Sequence, residues 1–510
     1  METQAYFVVI VFSLFLLFYW LAKYYKPKTT LKNKLPPGPR KLPVIGNLHQ
    51  LALTGSLPHR ALRELAHKYG PLMHLQLGEI STVVVSSPLV AKEITKTHDL
   101  AFVHRPQTEF AQLLSYGGTD IAFAPYGDYW RQMRKICVSE LLSVKRVKSF
   151  SFIREDETAK FIDSIRACAG SSINLTDRIF SLVGSFVSRS AFGLKSKDHD
   201  EFIYLIKTII EAAAGFELAD LFPSMKFFIN FFTGRKARLE KWQDQIDKVL
   251  ENIIKQHQEM KIRAKGNKVD VDNEDLVDVL VRIQESDTLD IKITARNIKA
   301  IILDVFAAGT DTSATTLEWA MAEIMRNPRV REKAQAEIRE AFGEKEIIHE
   351  ADLEQLTYLK LVIKETLRVH PPTPLLLPRE CSELTIIDGY EIPAKTKIVV
   401  NVWAIARDPQ YWTDPERFFP ERFDGSSIDF KGNNFEYLPF GAGRRMCPGM
   451  IFGLATIMLP LALLLYHFNW ELPNEMKPES LDMTEHFGLG LAKEKELCLI
   501  PYVYDPTVHH

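Results

Sequence analysis

The residues best suited to chemistry lie in one run near the C-terminus, Phe440-Gly441-Ala442-Gly443-Arg444-Arg445-Met446-Cys447-Pro448-Gly449. Its three glycines allow positive φ and let backbone approach a flat cofactor closely. Pro448 suits the first turn of a helix, where its missing N–H would have had no partner, and residues 450–465 are apolar and helix-compatible. Cys447 is thereby placed at a helix N-terminus, where amide donors and the macrodipole favour an anion. A free thiol has a pKa near ~8.5, and metal coordination removes its proton. A lone cysteine is ordinarily a small buried hydrophobe, but that role gives the glycines, Arg445 and Pro448 nothing to do. The other cysteines, Cys137, Cys168, Cys381 and Cys498, are scattered and form no CxxC pair. They suit a reducing compartment better than a disulfide framework or a zinc site.

Further candidates stand upstream. A long helical pattern over 294–326 contains Ala307-Ala308-Gly309-Thr310-Asp311-Thr312. A threonine there can bond back to the carbonyl four residues earlier and, beside glycine, open a local bulge. Glu365 and Arg368 share a helix face at i,i+3 and can pair. Downstream, Pro420-Glu421-Arg422-Phe423 has an overlapping copy, Pro415-Glu416-Arg417-Phe418, so Arg422 and Arg417 compete as a third member.

The cysteine run resembles the haem-binding signature of the cytochrome P-450 family, Phe-x-x-Gly-x-Arg-x-Cys-x-Gly, at every specified position. The resemblance implies haem b (iron protoporphyrin IX) as cofactor and Cys447 as its metal ligand, within a loop that includes Phe440, Gly441 and Gly449. In that family the sulfur pushes electron density toward O–O cleavage. Asp311 and Thr312 are similar to the family's acid–alcohol pair, which relays protons to dioxygen. Glu365, Arg368 and Arg422 resemble its buried structural network, with spacing to the cysteine favouring Arg422 over Arg417. Trp130 and Arg134 resemble its Trp-x-x-x-Arg. Together with Arg379, Arg445 and the fainter Arg105, they are implied partners of the haem propionates. The wording from Pro-Pro-Gly-Pro to the cysteine run is most like plant A-type members, and within them terpenoid oxidases of specialised metabolism.

The implied activity is a haem-thiolate monooxygenase that inserts one oxygen atom from O₂ into a lipophilic small molecule. No GxGxxG follows a strand, so NADPH is expected to serve only as the electron source through a separate reductase. The implied partners are NADPH–cytochrome P-450 reductase and, optionally, cytochrome b5. A basic cluster of Arg131, Arg134, Lys135, Lys145, Arg146 and Lys148 would attract an acidic partner. By resemblance, segments 113–121, 212–232, 305–308, 373–377 and 487–489 line the substrate side. They are mostly apolar (Phe216, Leu218, Leu221, Phe222, Leu375, Leu376, Phe487), with Glu217 and Asp220 as the fixed charges, so a nonpolar substrate is expected.

These residues need a scaffold. Helical periodicity runs through 57–69, 243–261, 294–326 and 353–369, and short strand-like runs occupy 72–77, 82–86 and 397–402. The expected fold is mainly α with a small β region, one large body in which polar segment 265–275 forms an exposed loop. Residues 3–22 carry no charge and as a helix would rise about 30 Å, enough to cross a hydrocarbon core. Lys23, Lys26 and Lys28 follow, with only Glu2 ahead, which keeps the body cytosolic as a single-pass protein of the endoplasmic reticulum membrane. The expected organisation is a transmembrane anchor at 1–22, a basic and proline-rich linker at 23–40, and a catalytic haem domain at 41–510. Asn174-Leu175-Thr176 is a glycosylation sequon that a cytosolic body would leave bare. A formal net charge of −2 argues against nucleic acid as a partner.

Overall fold

The computed structural model describes residues 34–505 other than 53–54, 194–201, 203–204, 207, 209–217, 264–273, 287–289, 344, 346 and 489, together with residues 12, 13, 15 and 19. The rest of the anchor expected at 1–22, most of the linker expected at 23–40, and Phe216, Glu217 and Leu489 lie outside the described residues. The principal helices are α1 (Pro58–Tyr69), α2 (Asp128–Ile136), α3 (Ser151–Arg166), α4 (Leu175–Phe192), α5 (Lys226–Thr233), α6 (Arg235–Arg263), α7 (Leu276–Glu285), α8 (Ala295–Arg326), α9 (Pro328–Phe342), α10 (Thr357–Val369) and α11 (Met450–His467). The strands are β1 (Leu72–Leu77), β2 (Ile80–Val85), β3 (Ile173–Asn174), β4 (Arg379–Glu380), β5 (Thr385–Ile387), β6 (Tyr390–Ile392), β7 (Lys397–Val400), β8 (Phe468–Glu471), β9 (Glu485–Phe487), β10 (Leu491–Lys493) and β11 (Cys498–Val503). They form sheets ordered β1-β2-β7-β4, β3-β11-β8, β9-β10 and β5-β6. Among the described residues only β2 and β7 pair in parallel. The expected mainly helical body with minor β structure is what forms.

The two helices that matter most for the site are set by local chemistry. Thr294 Oγ1 accepts from the Asn297 N–H at 3.4 Å while Asn297 Oδ1 accepts from the Thr294 N–H at 2.8 Å. This reciprocal cap fixes the start of α8. Pro328 opens α9 and biases Asn327 away from helical backbone, which ends α8. Helix α11 is apolar on nearly every face and mostly buried, as such a helix must be. It is the one helix among the described residues long and apolar enough to cross a bilayer, but it packs against α8, α3 and α9 inside the body. Helix α8 threads between α4 and α11.

Some boundaries differ from the sequence pattern. The run expected over 353–369 is a 3-10 turn at Glu350–Gln355 followed by α10. The strand expected over 397–402 stops at Val400, because Asn401 Oδ1 accepts the Ala404 N–H at 3.0 Å and starts a short helix. The polar loop expected through 275 ends sooner. Asp275 is buried and caps α7, accepting the Asp278 N–H at 2.8 Å.

Behind the site, α10 carries a buried ionic knot. Arg368 meets Glu365 through Nε at 2.8 Å and a second nitrogen at 2.9 Å, and Arg422 Nε reaches Glu365 Oε1 at 2.9 Å. Glu365 also accepts the Phe419 N–H at 2.8 Å. Arg417 contributes only its carbonyl, to Arg368 and Arg422, so Arg422 is the third member. The remaining Arg368 donors hold the Ala406 and Pro415 carbonyls at 2.7 and 2.8 Å, pinning the meander that leads to the cysteine loop. Glu365→Gln is expected to strand the fully buried Arg368 and cost about 3–5 kcal/mol. Denaturant titration against the parent protein measures this.

Candidate active site

The cysteine loop is shaped by its glycines. Gly441 and Gly443 adopt φ of 68° and 72°, and a Cβ on Gly443 would lie 2.0 Å from the Thr95 carbonyl oxygen. No other residue fits at Gly443 without moving backbone. Gly449 has φ −90° and so is not chosen for positive φ. Its N–H bonds to the Cys447 sulfur. Pro448 falls outside the helix, because α11 begins at Met450 with Gly449 as its N-cap. The Cys447 N–H donates to the Phe440 carbonyl at 3.0 Å, closing the loop, and the Phe440 ring packs edge-on against Phe430.

Cys447 is exposed, yet desolvation by the surrounding protein raises its thiol pKa. A side chain deep in the body and still open faces an internal space. The Gly449 N–H and the Arg134 guanidinium oppose the desolvation and favour thiolate.

Helix α8 shows a matching opening. Residues 298–303, 305–306 and 313–325 are buried; Gly309 is half-buried beside Val187 and Phe452, and Asp304, Ala307, Ala308, Asp311 and Thr312 are not buried. Their spacing of 0, 3, 4, 7 and 8 is one helical face. Thr312 Oγ1 donates to the Ala308 carbonyl at 2.7 Å, the back-bond expected from sequence. The bulge expected with it is absent: α8 is continuous α-helix from Ala295 to Arg326. The hydroxyl adds a donor to a carbonyl without breaking the backbone ladder, as Thr316 does at Thr312. The Asp311 carboxylate lies against Gly490, where a Cβ would come within 2.5 Å of Oδ2.

The arginines gather on one wall. Arg445 donates to the carbonyls of Val103, Ile121 and Ala124 at 2.9, 3.2 and 2.6 Å and lies 4.4 Å over Trp130. Trp130 Nε1 donates to Ile121 O at 3.0 Å. Arg379 bridges Asp99 and the Ala442 carbonyl, both at 2.7 Å. Arg134 donates to the Met446 carbonyl, beside the cysteine. Arg105, the faintest candidate in the sequence, is wholly inside, bonded to the carbonyls of Ala122, Leu377 and Pro378. Burial, then mutual repulsion with Arg445 and Arg379, pushes its pKa down, and Arg445 falls to about 10 for the same reasons.

Three buried guanidiniums and the half-buried Arg134 thus face few carboxylates. Asp99 is shared with Arg379 and Arg444, and Asp120 is held by the Phe123 and Ala124 N–H groups with its own pKa raised by burial. Such a cluster calls for further anions. A flat cofactor bearing two carboxylates, bound beside the open thiol on whose loop Arg134 and Arg379 are fixed, fits it.

The whole-chain comparisons agree. The family described as Cytochrome P-450 matches residues 36–499. The chain belongs to the cytochrome P-450 family. It is 62% identical over 508 residues to Cytochrome P-450 71D8 of Glycine max, covering 99% of this chain and all of that one. It is 53% identical to premnaspirodiene oxygenase of Hyoscyamus muticus, over 98% of this chain and 99% of that one. A solved structure of a zebra fish cytochrome P-450 with abiraterone superimposes with a TM-score of 0.75 at 27% identity, over 88% of this chain and 99% of that one. This P-450 is therefore a haem-dependent monooxygenase, and like its family it acts on a lipophilic substrate with electrons from a redox partner.

Sequence reasoning missed the Asp304 carboxylate. It accepts the Ile121 and Ala122 N–H groups at 2.8 and 3.1 Å and shares a hydrogen bond with Asp120. Both pKa values are raised, chiefly by burial, so the pair holds a proton and clips α8 to the loop beneath the arginines. The one sequence signal was an acid in an apolar stretch of helix. Several presumed substrate-side residues are ordinary core. Leu221, Phe222 and Leu375 pack with Met73 and Leu75 beneath β1, and Leu218 is exposed. Asp220 accepts the Glu109 N–H at 3.0 Å and is pushed up by burial, so it is no open charge. In the basic cluster, Arg134 and Arg146 turn inward, Arg146 onto the Glu274 carbonyl at 2.9 Å, while Arg131, Lys135, Lys145 and Lys148 stay exposed.

Arg445→Leu should weaken haem retention. Loss of one charge-assisted contact, about 1.5–3 kcal/mol, corresponds to roughly 10- to 100-fold weaker binding. Transfer of haem from purified protein to excess apomyoglobin measures it.

Proposed function

We propose that this P-450 hydroxylates a terpenoid or related plant specialised metabolite, with Cys447 as the sole protein ligand to haem iron and Asp311 and Thr312 supplying protons. The observation that carries this reading is the open Cys447 thiol just ahead of α11, the helix packed on α8, together with the uncovered face of α8 around Asp311 and Thr312 and with Arg134 of the arginine cluster on the adjoining Met446 carbonyl. Bound haem supplies the dioxygen-binding and electron-accepting chemistry. Arg105, Arg134, Arg379 and Arg445, with Trp130, would hold its propionates by charge-assisted bonds, and Phe440, Gly441 and Gly449 shape the loop around the sulfur. Thr312 holds a proton at Oγ1, parked on the Ala308 carbonyl, and Asp311 replenishes it. A haem-thiolate isomerase would need no such pair.

The substrate class rests on two relatives whose names state oxidation of premnaspirodiene and of 5-epiaristolochene, at 53% and 52% identity. Asp220 is occupied by the Glu109 N–H, and the Asp304–Asp120 pair shares a hydrogen bond, which leaves few open charges to favour a charged substrate. Electrons come from NADPH through NADPH–cytochrome P-450 reductase, optionally with cytochrome b5. The outward Arg131 and Lys135 of α2, with Lys145 and Lys148 of the short helix Val144–Ser149, suit an acidic docking face. Anchorage through residues 1–22 places the body on the cytosolic side of the endoplasmic reticulum bilayer. Helix α5 supports this. Phe227, Phe231 and Phe232 are more than 60% exposed, a patch that soluble surfaces avoid, and Phe228 lies 5.2 Å from Phe15 of the N-terminal segment.

Co-expression with a plant reductase, NADPH and a panel of terpene hydrocarbons should yield monohydroxylated product. Thr312→Ala should keep consuming NADPH while releasing mainly peroxide or water, and unchanged coupling would remove Thr312 from this role.

A further inference from the structure

Beyond Asp311, helix α8 carries a second acid on the same face. Glu318 lies seven residues on, about 10 Å further along the axis, with Thr315 one turn from each. The i, i+4, i+7 spacing lines all three on one stripe. Thr315 and Glu318 are each 5% exposed. The stripe is roofed by the C-terminal hairpin. Gly490 sits over Asp311, the Leu491 carbonyl accepts Trp319 Nε1 at 2.7 Å, and Lys493 lies 5.0 Å over the Trp319 ring. The outer end of the stripe leads to the surface. Glu318 Oε1 accepts from Thr176 Oγ1 at 2.6 Å, and Thr176 Oγ1 in turn accepts the Leu497 N–H at 2.8 Å. Thr176 is half-buried, and its neighbours Asp177 and Glu496 are exposed.

Resting on the reading of Asp311 and Thr312 above, we propose that Glu318 is the entry carboxyl of a proton track that runs along α8 through Thr315 to Asp311. Hydroxylation with O₂ consumes two protons and two electrons per turnover, leaving one oxygen in the product and one in water, with the electrons supplied by the redox partner. In each passage a bulk proton binds the Glu318 carboxylate and then moves to Thr315 Oγ1, directly or through a bridging water. The hydroxyl releases its own proton to Asp311, and Asp311 passes one on toward Thr312. Every group ends in its starting state.

The chemistry of Glu318 suits that work. Burial dominates and raises its pKa to about 7, helped by Glu496 and Asp311 and opposed by the Thr176 hydrogen bond and Lys493. It therefore exchanges a proton within the pH range where the protein operates, as a relay carboxyl must. Asp311, Lys493 and Glu496 are the charged groups that face it. The ordinary role for such a residue is a helix-to-helix tie through Thr176, and a tie needs no titration.

The test has two arms. Infrared difference spectra of the purified full-length protein between pH 6 and 8 should show a protonated-carboxyl band that is lost with a midpoint near 7 and is missing from Glu318→Gln. In the reconstituted system, Glu318→Gln and Thr315→Val should each raise the peroxide released per NADPH several-fold and enlarge the solvent deuterium isotope effect, with Glu318→Asp restoring part of the coupling. A carboxyl band that survives in Glu318→Gln, or wild-type coupling and isotope effects in both Glu318→Gln and Thr315→Val, overturns the proposal. Neither outcome would disturb the uncoupling expected of Thr312→Ala, so failure here is distinct from failure of the acid–alcohol assignment.

Discussion

A single sulfur must stay uncovered at a place where the surrounding protein desolvates it. Folding works against that arrangement, because apolar side chains would otherwise fill the space on both sides. The structure resists collapse with rigid backbone. Gly441 and Gly443 turn the chain at positive φ, with the Thr95 carbonyl leaving no room for a Cβ at Gly443, and the Phe440 carbonyl closes the loop on the Cys447 N–H. Gly449 then aims its own N–H at the sulfur before α11 begins. On α8, small or polar residues at 304, 307, 308, 311 and 312 leave that face of the helix uncovered.

Electrostatics complete the demand for a cofactor. Arg105, Arg134, Arg379 and Arg445 are drawn together by backbone carbonyls although they repel one another. A buried positive cluster of this kind is poorly stable alone and gains when carboxylates arrive between the guanidiniums. Binding of haem and stability of this wall are therefore linked: a ligand that binds only the folded state stabilises it. The Glu365–Arg368–Arg422 knot serves the same end from behind, fixing the meander through the Ala406, Pro415 and Thr413 carbonyls.

Much of this was legible in the residues. The cysteine run specified both its glycine turns and its sulfur, because each constraint is local and uses a residue type that has few substitutes. The i,i+3 spacing found Glu365 and Arg368, and spacing to the cysteine favoured Arg422 over its near copy Arg417, a choice that the Arg422–Glu365 bond settles. Thr312 was placed correctly and the bulge beside it was not, because a back-bonding hydroxyl can be satisfied without opening the ladder. Apolar side chains gave the weakest guidance. Leu221 and Phe222 read as substrate-facing and pack under β1, since burial in a core and burial around a ligand use the same residue types. Asp304 was overlooked because its partners are backbone amides more than 180 residues away in sequence, which no local pattern announces.

The account stands on iron–sulfur ligation at residue 447, and ligation can be read directly. Purified protein reduced with dithionite and exposed to carbon monoxide should show the strongly red-shifted Soret band that thiolate opposite carbon monoxide produces, and Cys447→Ser should lose it. A Soret band at the position typical of histidine ligation, or protein that folds and carries no porphyrin, would contradict it.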